Sequence, residues 1–196
     1  MQACLWHDIA MLEPPRRIPY ATWPGALAVF AAIALYVGGL VLWDSHTPAS
    51  RPIAPGKILQ AGHGARFAPA ADWQMNLSAS RVGNSVALFK GGSSFTVSTG
   101  PWIGGPQGPM LRQRRLMEQA LGLHLDSQPE AFFNLWGLQG QTFAYDGPGT
   151  TGRYWQIVDA KRQVVVHVDF RGPPGTAQED LADAKAMVDS MDLQAQ

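Results

Sequence analysis

The sequence predicts an α+β protein: one N-terminal transmembrane helix, then an antiparallel sheet of about six strands flanked by two helices. Three observations carry this expectation. The run at residues 25–43, GALAVFAAIALYVGGLVLW, holds no charged side chain. Several later stretches alternate apolar and polar residues, the clearest being QVVVHVDFR at 163–171. Two segments, 110–123 and 176–191, repeat apolar residues at helical spacing, which gives each one face for a core.

Residues 1–24 contain Pro14, Pro15, Arg16 and Arg17 and no helical period, so a flexible cytoplasmic tail is expected. Residues 25–43 follow. At about 1.5 Å rise per residue, roughly 20 apolar residues span the hydrocarbon of a bilayer, and Tyr20, Trp23 and Trp43 bracket the run where amphipathic rings favour the headgroup region. A cleaved signal peptide would carry an apolar region of about 7–15 residues followed by a small-x-small site. Here the run is longer and ends Trp-Asp-Ser-His, so an uncleaved signal anchor is expected. Lys and Arg are tied across the span, with Arg16 and Arg17 before it and Arg51 and Lys57 after it. The short, concentrated basic tail favours the N-terminus inside and the C-terminal domain extracytoplasmic at the cell membrane. Residues 44–66, rich in Pro, Gly and Ala, read as a linker, because such a composition buries too little apolar surface to offset ordering.

The domain is expected over residues 67–196. In WQMNLSAS, Trp73, Met75, Leu77 and Ala79 take one face of a strand and Gln74, Asn76, Ser78 and Ser80 the other. Turns at 81–84 and at Gly91-Gly92 separate two further strands, SVALFK and SFTVST, so the domain opens as a meander. The Gly/Pro-rich stretch 100–109 breaks the sheet and leads into a helix with Met110, Met117, Ala120 and Leu121 on one face and Arg112, Arg114 and Arg115 on the other; Pro109 suits its start and Gly122 its exit. A weak strand at 123–127 and stronger ones at 139–145, 153–159 and 163–171 follow, the last two joined by a tight loop at 160–162. In the last, Val164, Val166, Val168 and Phe170 form the core face, with Val165 the exception. Thr176 and Glu179 stand in capping-box spacing ahead of Leu181, Ala184, Val188 and Met191, the stripe of the closing helix.

This order of elements, from the aromatic-led strand ADWQMNL to the closing helix that ends Val188-Asp189-Ser190-Met191, resembles the Mog1/PsbP-like fold. Small actinobacterial secreted and lipid-anchored proteins of that fold look similar. The resemblance covers about residues 65–193. It implies an antiparallel sheet flanked by helices, in a superfamily whose members mostly bind partners as accessory proteins. No functional motif is shared, so no site residue carries over, and an apolar helix stands where the lipid-anchored members have a cysteine.

Fifteen basic residues balance fifteen acidic ones, which gives no electrostatic footprint for nucleic acid. The one cysteine, Cys4, precedes the apolar run, so the domain has neither a disulfide nor a thiol nucleophile. His124 with Asp126, and His167 with Asp169, each share a strand face and would meet only if the two strands were neighbours; exposed polar faces account for both pairs, and no metal or cofactor is expected. Gly91-Gly92-Ser93-Ser94-Phe95 lacks the second glycine of a nucleophile elbow, and no catalytic residue is assigned. Prolines at 101, 106 and 109 remove N–H donors from the loop before the first amphipathic helix, which disfavours a phosphate cradle. Trp102 and Ile103, two large apolar residues in that loop, together with Arg112, Arg114 and Arg115, form the candidate partner or anion contact. The expected function is thus a single-pass, non-catalytic interaction module, an accessory or assembly factor of an envelope membrane complex, with the membrane and other membrane or envelope proteins as partners. The alternative is a small amphiphile or lipid carrier with Trp136, Phe143 and Trp155 lining an apolar cavity.

Overall fold

The structure is a computed structural model that describes residues 23–46, 49–102, 108–126, 128–175 and 177–194. It divides into two compact units, Met1–Thr47 and Pro48–Gln196. Within the first, α1 (Trp23–His46) is a 24-residue helix that is apolar all round, so it has no polar face to turn to water. Leu27, Phe30, Ile33, Leu35 and Leu40 are all exposed. At about 1.5 Å per residue the helix extends roughly 36 Å, more than the roughly 30 Å of a hydrocarbon core, and it is long and apolar enough to cross a membrane.

In chain order the second unit contains β1 (Ser50–Pro52), β2 (Leu59–Gly62), β3 (Ala65–Phe67), β4 (Gln74–Asn76), β5 (Ser85–Lys90), β6 (Ser93–Pro101), α2 (Gly108–Leu121), β7 (His124–Leu125), β8 (Glu130–Phe133), β9 (Gln139–Gly147), β10 (Thr150–Asp159), β11 (Val164–Gly172), α3 (Ala177–Asp189) and β12 (Asp192–Leu193). The main sheet runs β1-β4-β5-β6-β11-β10-β9-β7, with β8 also on β9, and a small sheet runs β12-β3-β2. All pairings are antiparallel.

One face of the main sheet carries the larger core. Phe95, Val97, Trp155, Ile157, Val166, Val168 and Phe170 pack with Ala184, Met187 and Val188 of α3 and with Met191 just beyond its end, so the closing helix turns the apolar face that its spacing predicts toward the core. Trp73 packs edge-on to Phe95 and Phe170, with ring centroids 6.2 and 6.5 Å apart. Polar contacts fix α3 at its N-terminal half: Ser93 donates to Asp180 at 2.6 Å, the Trp73 indole donates to Asp183 at 3.1 Å, and Lys90 reaches both carboxylates. Those carboxylates hold the Lys90 pKa above its ordinary value. On the opposite face a smaller core joins Met110 and Met117 of α2 to Leu123, Leu125, Phe143, Tyr145 and Tyr154. Val165, the exception to alternation in β11, is buried as well.

The turn between β10 and β11 is built by Asp159, which accepts the N–H groups of Lys161 and Arg162 at 3.0 and 3.1 Å and the Arg162 guanidinium at 2.7 Å. Partial burial opposes ionisation of this carboxyl, but the Arg162 N–H and guanidinium outweigh it and lower its pKa.

Three expectations need correction. The strand read over residues 73–80 stops at Asn76, whose Oδ1 accepts from Ser78 and from the Ala79 N–H at 2.7 and 3.1 Å; this local Asn turn competes with the ladder and wins, and Leu77 is left exposed. The strands outnumber six, since β1, β2, β3, β7, β8 and β12 have only two to four residues each, too short for a period to register. Residues 59–66, read as linker, are structured: Leu59, Ala61 and Ala65 join the larger core with Phe67. Gly64 is at φ +78, where a Cβ would run into the Gln194 carbonyl oxygen, so the glycine there admits β12 beside β3 and is no sign of flexibility. The proposed cap residue Thr176 lies outside the described residues.

Candidate functional site

Between β8 and β9 the chain passes through Asn134-Leu135-Trp136-Gly137-Leu138. Asn134 is buried and organises the loop. Its Nδ2 donates to the Met191 carbonyl at 2.6 Å, and its Oδ1 accepts the N–H groups of Trp136 and Leu138 at 3.1 and 2.9 Å. Its backbone N–H donates to the Leu138 carbonyl at 3.1 Å, and its carbonyl accepts from Gly137 at 3.0 Å, with Gly137 at φ +74 making the reversal. A helix leaves its last carbonyls without intrahelical partners. At the end of α3 two of these are claimed by the same loop: the Leu135 N–H donates to Asp189 at 3.3 Å and the Trp136 indole N–H to Ser190 at 3.2 Å.

The consequence is a fixed backbone with large apolar side chains pointed at solvent. Leu135 is 83 % exposed, Trp136 64 % and the nearby Ile58 62 %, and the three share a shallow surface cavity of about 500 Å³ with Arg66 and Asp192. Exposed apolar clusters with a polar rim mark contact sites. Because the loop is already ordered, a partner that covers it has little chain entropy to offset. Arg66 and Asp192, opposed across β3 and β12, supply one charge of each sign.

The residues singled out from the sequence are distributed differently. Trp102 is half-buried, with its N–H donating to the Gln163 carbonyl at 2.8 Å, so its ring is no exposed loop tip; Ile103 lies outside the described residues. Arg112 and Arg115 are exposed on α2. Arg114, four residues after buried Met110 and three before buried Met117, is on the packed side with its guanidinium 5.7 Å from the centre of the Phe143 ring, so the three arginines do not form one basic face. The cavity expected of Trp136, Phe143 and Trp155 does not form. Phe143 is opposite Tyr154 in the β9–β10 ladder, so Trp155 points through the other face of the sheet, and Trp136 is at the surface. Nor do the two His–Asp pairs meet, because β10 and β9 separate β11 from β7. Among the described residues no three His, Cys or carboxylate groups converge.

His167 and Asp169 belong instead to a polar network on the α2 side of the sheet. Tyr154 hydrogen-bonds His167 Nδ1, Tyr145 donates to Asp169 at 2.6 Å, and Arg171 donates to the other Asp169 oxygen at 2.7 Å. Burial pushes both tyrosine hydroxyls above their ordinary pKa, with the Asp169 charge adding to it, and burial lowers that of His167. The phenol therefore donates and the neutral imidazole accepts. Since the folded state resists protonation of His167 while the unfolded chain takes up a proton near pH 6.5, this group adds stability at neutral pH that is lost as pH falls through about 6.5. Urea unfolding of the detergent-solubilised chain at about pH 7.5 and about pH 5.5 should show this loss, and His167→Gln should reduce it. An unchanged slope in the variant would assign the pH dependence elsewhere.

No protein-family model matches the sequence, and comparison with curated proteins finds no relative. Among solved structures, the solution structure of cyanobacterial PsbP, CyanoP, from Synechocystis is similar at 11 % identity and a TM-score of 0.51, over 76 % of this chain and 94 % of that one. The yeast Ran-binding protein Mog1p, from Saccharomyces cerevisiae, is similar at 11 % identity and a TM-score of 0.45, over 70 % of this chain and 94 % of the other. The folded unit has a Mog1/PsbP-like fold. At these identities the likeness concerns the fold alone.

Proposed function

We propose that the chain is a single-pass membrane-anchored interaction module, without catalytic activity, that serves an envelope membrane complex as an accessory or assembly factor. The observation that carries this reading is the pairing of Leu135 and Trp136, exposed yet held by the hydrogen bonds of Asn134 and by the carbonyls that end α3. A Mog1/PsbP-like domain following one apolar helix fits such a module. A protein partner suits the contact better than a lipid surface, because Arg66 and Asp192 at its rim balance each other, whereas attraction to anionic lipid needs clustered Lys or Arg. In this reading α1 is the tether, the N-terminus is inside and the domain is extracytoplasmic.

The partner is tested by affinity capture from detergent-solubilised membranes of the native host. Leu135→Ser leaves the loop backbone and its bonds in place and, at an exposed site, should shift stability by no more than about 0.5 kcal/mol. The unaltered chain should retain a discrete, reproducible protein and the variant should lose most of it; equal recovery with both would reject the site. Orientation has its own test, because Cys4 is the one native thiol. A membrane-impermeant maleimide applied to intact cells should spare Cys4 and label Val82→Cys in a Cys4→Ser background, since Val82 is fully exposed. The reverse pattern would invert the topology.

A further inference from the structure

Strand β8 pairs along one edge with β9 and leads directly into the Asn134 loop. The loop fixes which backbone groups of β8 face outward. The Asn134 N–H donates to the Leu138 carbonyl, and hydrogen-bonded pairs alternate along an antiparallel ladder, so Phe132↔Gly140 and Glu130↔Thr142 are the bonded pairs. Ala131 and Phe133 therefore turn their N–H and carbonyl groups away from β9. Among the described residues neither has a backbone bond beyond the ladder. Both are exposed, Phe133 at 67 %.

An open edge is a template for another strand, and proteins usually blunt it with brevity, proline, lysine or a bulge. The other edges here are blunted in these ways: β1 ends in Pro52, β7 and β12 have two residues each, and β2 has its register broken between Gln60 and Gly62. By contrast β8, EAFF, holds no proline or lysine and continues into exposed Leu135 and Trp136. We propose that β8 takes an extended segment of the protein partner as an added antiparallel strand, bonded to the backbones of Ala131 and Phe133. Two N–H and two carbonyl groups at a repeat of about 6.8 Å match an extended polypeptide, whereas a lipid surface has no such alternation of donor and acceptor. Backbone bonds supply affinity in this mode and side chains supply specificity: apolar residues opposite Ala131 and Phe133, and a basic one opposite Glu130, complement this edge. The inference rests on the docking role proposed above and adds the form in which the partner binds.

The experiment is hydrogen exchange at the Ala131 and Phe133 amides, read by mass spectrometry with residue-level fragmentation. It compares the full chain captured with its partner from detergent-solubilised native membranes with the same chain purified alone. Both amides should exchange about tenfold more slowly in the complex, the scale of one net hydrogen bond each. Ala131→Pro removes one outward N–H at a position where an edge strand accommodates proline and should lose most of the partner; Ala131→Val keeps the N–H and should retain it. A retained partner with both amides exchanging as fast as in the isolated chain would overturn the added strand and leave the Leu135–Trp136 contact standing, whereas a chain that retains no partner would overturn both. Equal loss from the two variants, or slowed amides with only a second copy of the chain present, would also overturn it. Should Ala131→Pro fail to fold, exchange in the unaltered complex still decides.

Discussion

Leu59→Ala is expected to cost the folded unit about 2–5 kcal/mol. The residue belongs to a segment whose Pro, Gly and Ala content reads as a tether, and a tether would tolerate the change with almost none. In the structure Leu59 is 4 % exposed and packs in the cluster that holds Phe67, Trp73 and Phe95. Truncation removes its transfer free energy and leaves a void that rigid neighbours cannot close. The β2-β3-β12 sheet passes the loss on, because Leu59 is opposite Phe67 and β3 also carries the C-terminal strand. Urea unfolding followed by tryptophan fluorescence measures the effect; a loss under about 0.5 kcal/mol would restore the linker reading.

Asn134→Ala is expected to cost about 3 kcal/mol, since the Met191 carbonyl loses a donor and the N–H groups of Trp136 and Leu138 lose their acceptor in a buried setting. The functional effect should exceed the loss of stability. Below the unfolding transition the variant keeps its sheet but no longer fixes Leu135 and Trp136, so partner capture falls while far-ultraviolet circular dichroism is unchanged. Asn134→Asp separates the two roles of the side chain: it keeps an acceptor for the loop N–H groups but sets a carboxylate oxygen against the Met191 carbonyl. Stability equal to that of the unaltered chain in both variants would remove Asn134 as the organiser of the site.

The long strands and the last helix were legible because their information is local. Alternation marks β6 and most of β11 within the segment itself, and the stripe of Ala184, Val188 and Met191 needs only a helical period. The small sheet is not legible, because Ala65 meets Leu193 from the far end of the chain and its strands have only two to four residues each. The contact loop failed for the same reason: Asn134 draws its meaning from Met191, and Trp136 from Ser190. As a large aromatic Trp136 reads from the sequence as a cavity wall; only the ladder shows that Phe143 and Trp155 face opposite ways. Arg114 shows how a run of like charges misleads, since its position between Met110 and Met117 already placed it on the packed side.

In the proposed role Leu135 and Trp136 meet a protein while α1 holds the domain at a bilayer. A photoreactive amino acid at position 135, activated in native membranes, asks this of the surface itself. The prediction is one discrete protein adduct, lost in the Asn134→Ala background, from a chain that stays with the membrane in alkaline carbonate. Adducts to lipid alone, a diffuse smear of proteins, or release of the chain into the aqueous fraction would contradict it.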